Sequence, residues 1–163
     1  MLRESIPVDP EVLGNLESLL DESGFEGIAM AEFRTNGQDH WLMEFNVRFW
    51  GSLQLAIDAG VDFPVLAAEA FRTPAGGPGQ ISNYRVGIRS RWLLGDLDHA
   101  ILLARGRPDT LGRRGVGAAL GVILTPAGPG CRWEVLRLSD PRPFWVELKQ
   151  WLGAALNQRA DAD

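Results

Sequence analysis

Three consecutive runs decide how this chain is read: Gly27-Ile28-Ala29-Met30-Ala31-Glu32-Phe33-Arg34, Asn36-Gly37-Gln38-Asp39, and His40-Trp41-Leu42-Met43-Glu44-Phe45-Asn46-Val47-Arg48. The outer two carry the apolar and aromatic residues that suit a pleated, half-buried surface, and the middle one is turn-forming, so together they predict a β-hairpin. In the second strand Trp41, Met43, Phe45 and Val47 recur with a period of two. That places His40, Glu44, Asn46 and Arg48 on the opposite face, with Leu42 among them. In the first strand Ala29, Ala31 and Phe33 face one way, and Ile28, Met30, Glu32 and Arg34 the other. The loop then sets the register. A two-residue Asn-Gly loop pairs Glu32 with Trp41 and parts the two glutamates. A three- or five-residue loop pairs Glu32 with Leu42 or Glu44 and brings both carboxylates to one face. An odd-length loop is expected here, for the chemistry it permits.

On a strand, residues two apart project on the same side about 6.6–7 Å from each other. Glu44, Asn46 and Arg48 therefore form a row of carboxylate, amide oxygen and guanidinium, and Glu32 adds a second carboxylate across the hairpin. Two carboxylates and an amide oxygen are hard donors suited to Mg²⁺, which keeps several waters and shares its shell with substrate phosphates. Arg48 beside them suits bidentate contact with a phosphoryl oxygen. A helix starting near Ser52 turns its free N–H groups toward the same region.

The remaining sequence is read outward from the hairpin. Leu2–Val8 suggests a short strand. Asp9-Pro10 supplies an N-cap and a first-turn proline for a helix carrying Val12, Leu13, Leu16, Leu19 and Leu20, and Gly24 stops it. Ser52–Ala59 reads as a helix ended by Gly60, and Asp62 caps another over Phe63–Arg72. Thr73–Gln80 (TPAGGPGQ) is a Pro/Gly linker and the best boundary in the chain, dividing a 1–75 domain from an 80–158 extension. Beyond it Ile81–Trp92 reads as a strand with Arg85, Arg89 and Arg91 on one face, more suited to ion pairing than to a ligand. A helix over Asp96–Ala104 follows. The island Val116–Leu124 fits helix or strand, Trp133–Leu138 reads as a strand and Phe144–Leu156 as a closing helix. Trp41, Trp92, Trp133, Trp145 and Trp151 are read as core anchors, and His40 and His99 as surface residues.

Composition bounds the function. The chain has 163 residues, 45% of them hydrophobic, and six Trp and seven Phe exclude a disordered tail. No apolar run reaches the roughly 18 residues of a membrane helix, so a membrane partner is not expected. The net charge of −5 argues against nucleic acid. A single cysteine, Cys131, excludes a disulfide framework or a Cys-ligated zinc and makes the cytoplasm the expected setting. The basic residues are 15 Arg and one Lys, Lys149, so no central lysine is available. Glycines 112, 115 and 117 lack the Lys-Ser/Thr that a phosphate-cradling P-loop requires.

Gly27–Phe33 followed by Leu42-Met43-Glu44-Phe45-Asn46-Val47-Arg48-Phe49-Trp50-Gly51-Ser52 resembles the C-terminal catalytic half of the ATP-grasp superfamily, whose pattern is an acidic residue on one strand and Glu-x-Asn-x-Arg on the next. The likeness extends to Gly60-Val61-Asp62-Phe63-Pro64, to Tyr84-Arg85-Val86-Gly87, and to Arg91-Trp92 with Gly95-Asp96, in the manner of its predicted carboligase and carbamoyl-phosphate synthetase-like branches. It covers roughly residues 1–75 well and the remainder loosely. The resemblance implies an α/β (α+β) fold with a mixed or antiparallel sheet flanked by helices and a small α/β extension. It also implies an ATP- and Mg²⁺-dependent ligase, with Mn²⁺ able to replace Mg²⁺. Glu32, Glu44 and Asn46 would hold the metal at the ATP phosphates, and Arg48 would stabilise the γ-phosphoryl group during transfer to a small carboxylate. An amine or other nucleophile would capture the acyl phosphate, forming a carbon–nitrogen bond. Such enzymes grip the nucleotide with lysines and a flap from an N-terminal half, which this chain does not supply; the expectation is a fragment, incomplete alone. A homo-oligomer is compatible with this reading. Two other classes stand beside it: a non-catalytic partner-binding domain, and a glycosidase using Glu32 and Glu44 as acid and nucleophile. Response to Mg·ATP separates the first reading from both.

Overall fold

Asp9 opens the first helix, α1 (Pro10–Ser23), by accepting hydrogen bonds from the amides of Glu11 and Val12 at 2.9 and 3.3 Å. Pro10 needs no amide partner there, and Gly24 closes the helix in the left-handed conformation at φ +62°. Each of these signals acts within a turn of its own position, which is why the sequence announces both helix ends. The computed structural model describes residues 2–73, 83–107, 109, 112–124 and 130–160. The protein is mixed α/β and falls into two compact units, residues 4–88 and residues 1–3 with 89–163. Of the Pro/Gly linker expected over 73–80, all but Thr73 lies outside the described residues.

In the first unit the hairpin strands are β2 (Met30–Thr35) and β3 (His40–Asn46), paired antiparallel. Both are shorter than their apolar patterns predict. β3 stops at Asn46, and Val47-Arg48 form a bend. Phe25, just after α1, packs edge-on against Phe45 of β3 at 6.0 Å between ring centroids. Two short helices follow, α2 (Leu53–Ala59) and α3 (Phe63–Arg72), the second capped by Asp62 through the Val65 amide at 3.1 Å. Residues 83–88 form no strand, so the long strand expected over 81–92 is reduced to β4 (Arg89–Arg91). Tyr84–Ile88 instead closes the unit through Ser5: the Ser5 hydroxyl donates to the Arg85 carbonyl and accepts from the Ile88 amide. Arg85 also donates to the Asp58 carbonyl at 2.6 Å.

The second unit holds a three-stranded sheet of β1 (Leu2–Glu4, whose last residue counts with the first unit), β4 and β5 (Cys131–Trp133) in the order β1-β4-β5, with β4 and β5 parallel. Its apolar core lies between helices α4 (Leu93–Ala104) and α5 (Val116–Leu124), where Ala100, Leu103 and Ala119 are buried and Ala118 and Val122 pack against them. The ambiguous island 116–124 is thus a helix. Its alanines allow close approach to α4, and Leu103, 1% exposed, fills the contact. The closing helix α6 (Arg142–Ala160) begins earlier than predicted. Arg91 is buried and paired to Asp96 at 2.7 Å, and Arg3 pairs with Glu134, so at Arg91 the predicted ion-pairing role holds. The tryptophans are only partly core. Trp92 and Trp151 donate their indole N–H groups to Glu147 and Asp98, whereas Trp41, Trp133 and Trp145 are 49, 37 and 56% exposed and anchor no core.

Candidate functional site

The hairpin loop has four residues, Asn36 to Asp39, between the paired Thr35 and His40. This corrects the odd-length expectation. The loop is stabilised locally: the Asn36 side-chain oxygen accepts from the amides of Gln38 and Asp39, and Thr35 Oγ1 accepts from the Gly37 amide. A regular ladder running back from such a loop would set Glu32 against Met43. It does not, because the register shifts between Glu32 and Phe33. Phe33 pairs with Leu42 and Glu32 with Glu44, so Met43 is the extra residue of a β-bulge. The two carboxylates therefore share a face, reached through an even loop and a bulge.

The bulge also redistributes the other side chains. Leu42, expected among the polar residues, pairs with Phe33 and joins the face of Phe45. Trp41 pairs with Arg34, on the face of the two glutamates. Directly opposed residues of an antiparallel pair have Cβ atoms about 4.5–5.5 Å apart, so one small ion can lie within reach of both carboxyl groups. Glu32 and Glu44 are exposed, and neither makes a hydrogen bond or ion pair among the described residues. Asn46, half-buried, ends β3 on the same face opposite Met30.

Arg48 is placed differently. The strand ends before it, so Glu44, Asn46 and Arg48 are not one continuous row, and the Arg48 guanidinium donates to the Phe49 carbonyl at 3.2 Å. Ser52 precedes α2, but its side chain makes no capping hydrogen bond. Among the described residues no group of three or more His, Cys, Asp or Glu is placed to hold a metal. The Glu32, Glu44 and Asn46 set is of another kind: two carboxylates and an amide oxygen, a donor set that fits Mg²⁺ completed by water and phosphate oxygens. His40 lies at the far end of the hairpin, its Nε2 3.4 Å from Asp9 Oδ2. The cap carboxyl of Asp9 is held below its ordinary value, first by the Glu11 and Val12 amides and further by His40.

The sequence reading missed a cavity of about 920 Å³ at the open end of this hairpin. Gly27 and Ile28, which lead into β2, and Trp50 and Ser52, which follow β3, contribute to its walls, with helices α2 and α3 supplying much of the rest. Ile6 and Val8, expected on a strand over 2–8, fall beyond the end of β1, and Phe71 is on α3; all three line the cavity. Among the described residues no helix is long and apolar enough to cross a membrane. No protein-family model, curated protein or solved structure matches this chain.

Proposed function

We propose that this chain carries the metal- and phosphate-binding face of a cytoplasmic, ATP- and Mg²⁺-dependent carboxylate ligase of ATP-grasp type, with the remainder of the nucleotide clamp supplied by another segment or subunit. The observation that supports the reading is the direct pairing of Glu32 with Glu44. Like charges facing each other destabilise a ladder. A divalent cation between them converts that repulsion into coordination, with Asn46 as a third donor. When bound, Mg²⁺ neutralises phosphate charge during phosphoryl transfer. Arg48, exposed on a bend just beyond the strand, gives up one exposed hydrogen bond to reach a phosphoryl oxygen. Lys149 is the only lysine in the sequence, so the lysines that grip the phosphates in this superfamily would come from another segment or subunit.

The test is equilibrium binding of Mn²⁺, with and without ATP, followed by electron paramagnetic resonance. Wild-type chain should bind Mn²⁺·ATP, and Glu32→Gln or Glu44→Gln should weaken binding by about tenfold or more, the loss of one charged ligand. Equal binding by wild type and both variants overturns the reading.

A further inference from the structure

We infer that the cavity beside the hairpin is a binding site for a small amphiphilic amine, a molecule with a hydrocarbon body and a cationic head. The volume of about 920 Å³ falls within the range of small-molecule sites. The space exists because α2 and α3 turn alanines toward it: Ala56 and Ala59 from one, Ala67 and Ala70 from the other. Trp50 and Phe63 form an aromatic wall, packed edge-on at 5.0 Å. At the cavity Ile6 and Phe71 are 69 and 88% exposed, hydrocarbon that an apolar ligand would remove from water.

The polar atoms define the head group. Ser5 and Tyr84 line the cavity, but their hydroxyls are spent within the protein, Tyr84 donating to the Ile6 carbonyl at 2.7 Å. Two polar side chains remain without a partner among the described residues, the Ser52 hydroxyl and the Glu26 carboxylate. Glu26 is the only charged residue among the described lining. Among the described lining the one charged group is a carboxylate, which repels an anionic ligand, whereas an ammonium group gains a carboxylate and a hydroxyl acceptor. The same charge disfavours a polyphosphate, and none of Glu32, Glu44 and Asn46 is among the described lining, so the assignment does not rest on the proposed metal site.

The experiment is calorimetric titration of the chain with octylamine, octanol and octanoate, without divalent cation or ATP, so that its result is independent of Mn²⁺·ATP binding. Octylamine should bind saturably and about tenfold tighter than octanoate, the factor produced by about 1.4 kcal/mol. Glu26→Gln should bring the two within about threefold of each other. Filling the cavity with Ala67→Trp should weaken octylamine about tenfold or more, and if circular dichroism shows that variant unfolded, Ala70→Trp, at an exposed position, decides. The proposal is overturned if octylamine does not saturate, if octanoate binds as tightly, or if the folded tryptophan variant binds octylamine like the wild type.

Discussion

Glu32 lies directly across the β2–β3 ladder from Glu44, and Met43, bulged out of the ladder and 59% exposed, is what brings them into line. Two negative charges are thereby opposed on an exposed sheet face with no partner among the described residues. Like charges directly opposed destabilise a ladder, and the proposed cation would relieve that repulsion.

The first prediction follows from the sign of that repulsion. Without divalent cation, Glu44→Gln should leave stability unchanged or raise it by about 0.2–1 kcal/mol, the range for relieving a like-charge cross-strand pair. With Mn²⁺·ATP present, the wild type should gain stability and the variant should not. Urea unfolding under both conditions measures this. A variant destabilised in both would show Glu44 to be a packing residue.

Asp9 gives a pH-dependent prediction. Its native carboxyl titrates below the ordinary value of 3.8, mainly because its charged form accepts the Glu11 and Val12 amides. A depressed native value means stability that is complete above the unfolded value and lost as pH falls through the native one. Asp9→Ala should therefore lower the midpoint of unfolding at neutral pH, and the difference should shrink in acid as the carboxyl loses its charge. Asp9→Asn should keep a cap at both pH values. Thermal melts across this range check the pattern, and a pH-independent deficit in Asp9→Ala would contradict it.

Helix α1 offers one substitution with opposite signs at its two glycines. Gly14 is in the helix interior and an added Cβ meets nothing within 4 Å. Gly14→Ala should stabilise by about 0.5–1 kcal/mol. Gly24 is equally open, but its φ of +62° is left-handed, so Gly24→Ala should cost about 1–2 kcal/mol. Denaturant midpoints of the two variants, falling on either side of the wild type, are the expected result.

Gly95 in α4 has a different constraint. A Cβ there would collide with Cε3 of the Trp92 ring, a ring whose N–H is bonded to Glu147 at 2.6 Å. Gly95→Ala should therefore cost about 1–3 kcal/mol through overpacking. Combining it with Trp92→Leu should give less than the sum of the two single effects, because the clash disappears with the ring. A double-mutant cycle measures that coupling, and strict additivity would refute the contact.

The elements legible in the sequence are those whose determinants are local. Asp9, Pro10 and Gly24 bound α1 without help from the rest of the chain, and Asp62 does the same for α3. The alternation of β3 put Glu44 and Asn46 on one face, but whether Glu32 shares that face depended on a register the sequence left open. Arg48 was not placed correctly on the strand, because an alternating pattern continues past the point where the ladder ends. Trp41, Trp133 and Trp145 look like core residues by composition, yet they are exposed, since burial depends on a neighbour the side chain finds in space.

What the sequence by itself determined is therefore the capped helices and the hairpin, both set by interactions within a few residues. The tertiary structure alone decided the register that opposes Glu32 to Glu44, because a bulge at Met43 cancels the parity of a four-residue loop and neither is dictated by the alternation of side chains. It also decided the cavity, whose walls come from segments as distant as Ile6 and Tyr84. Their hydrogen bond is a contact across chain separation that no local pattern encodes.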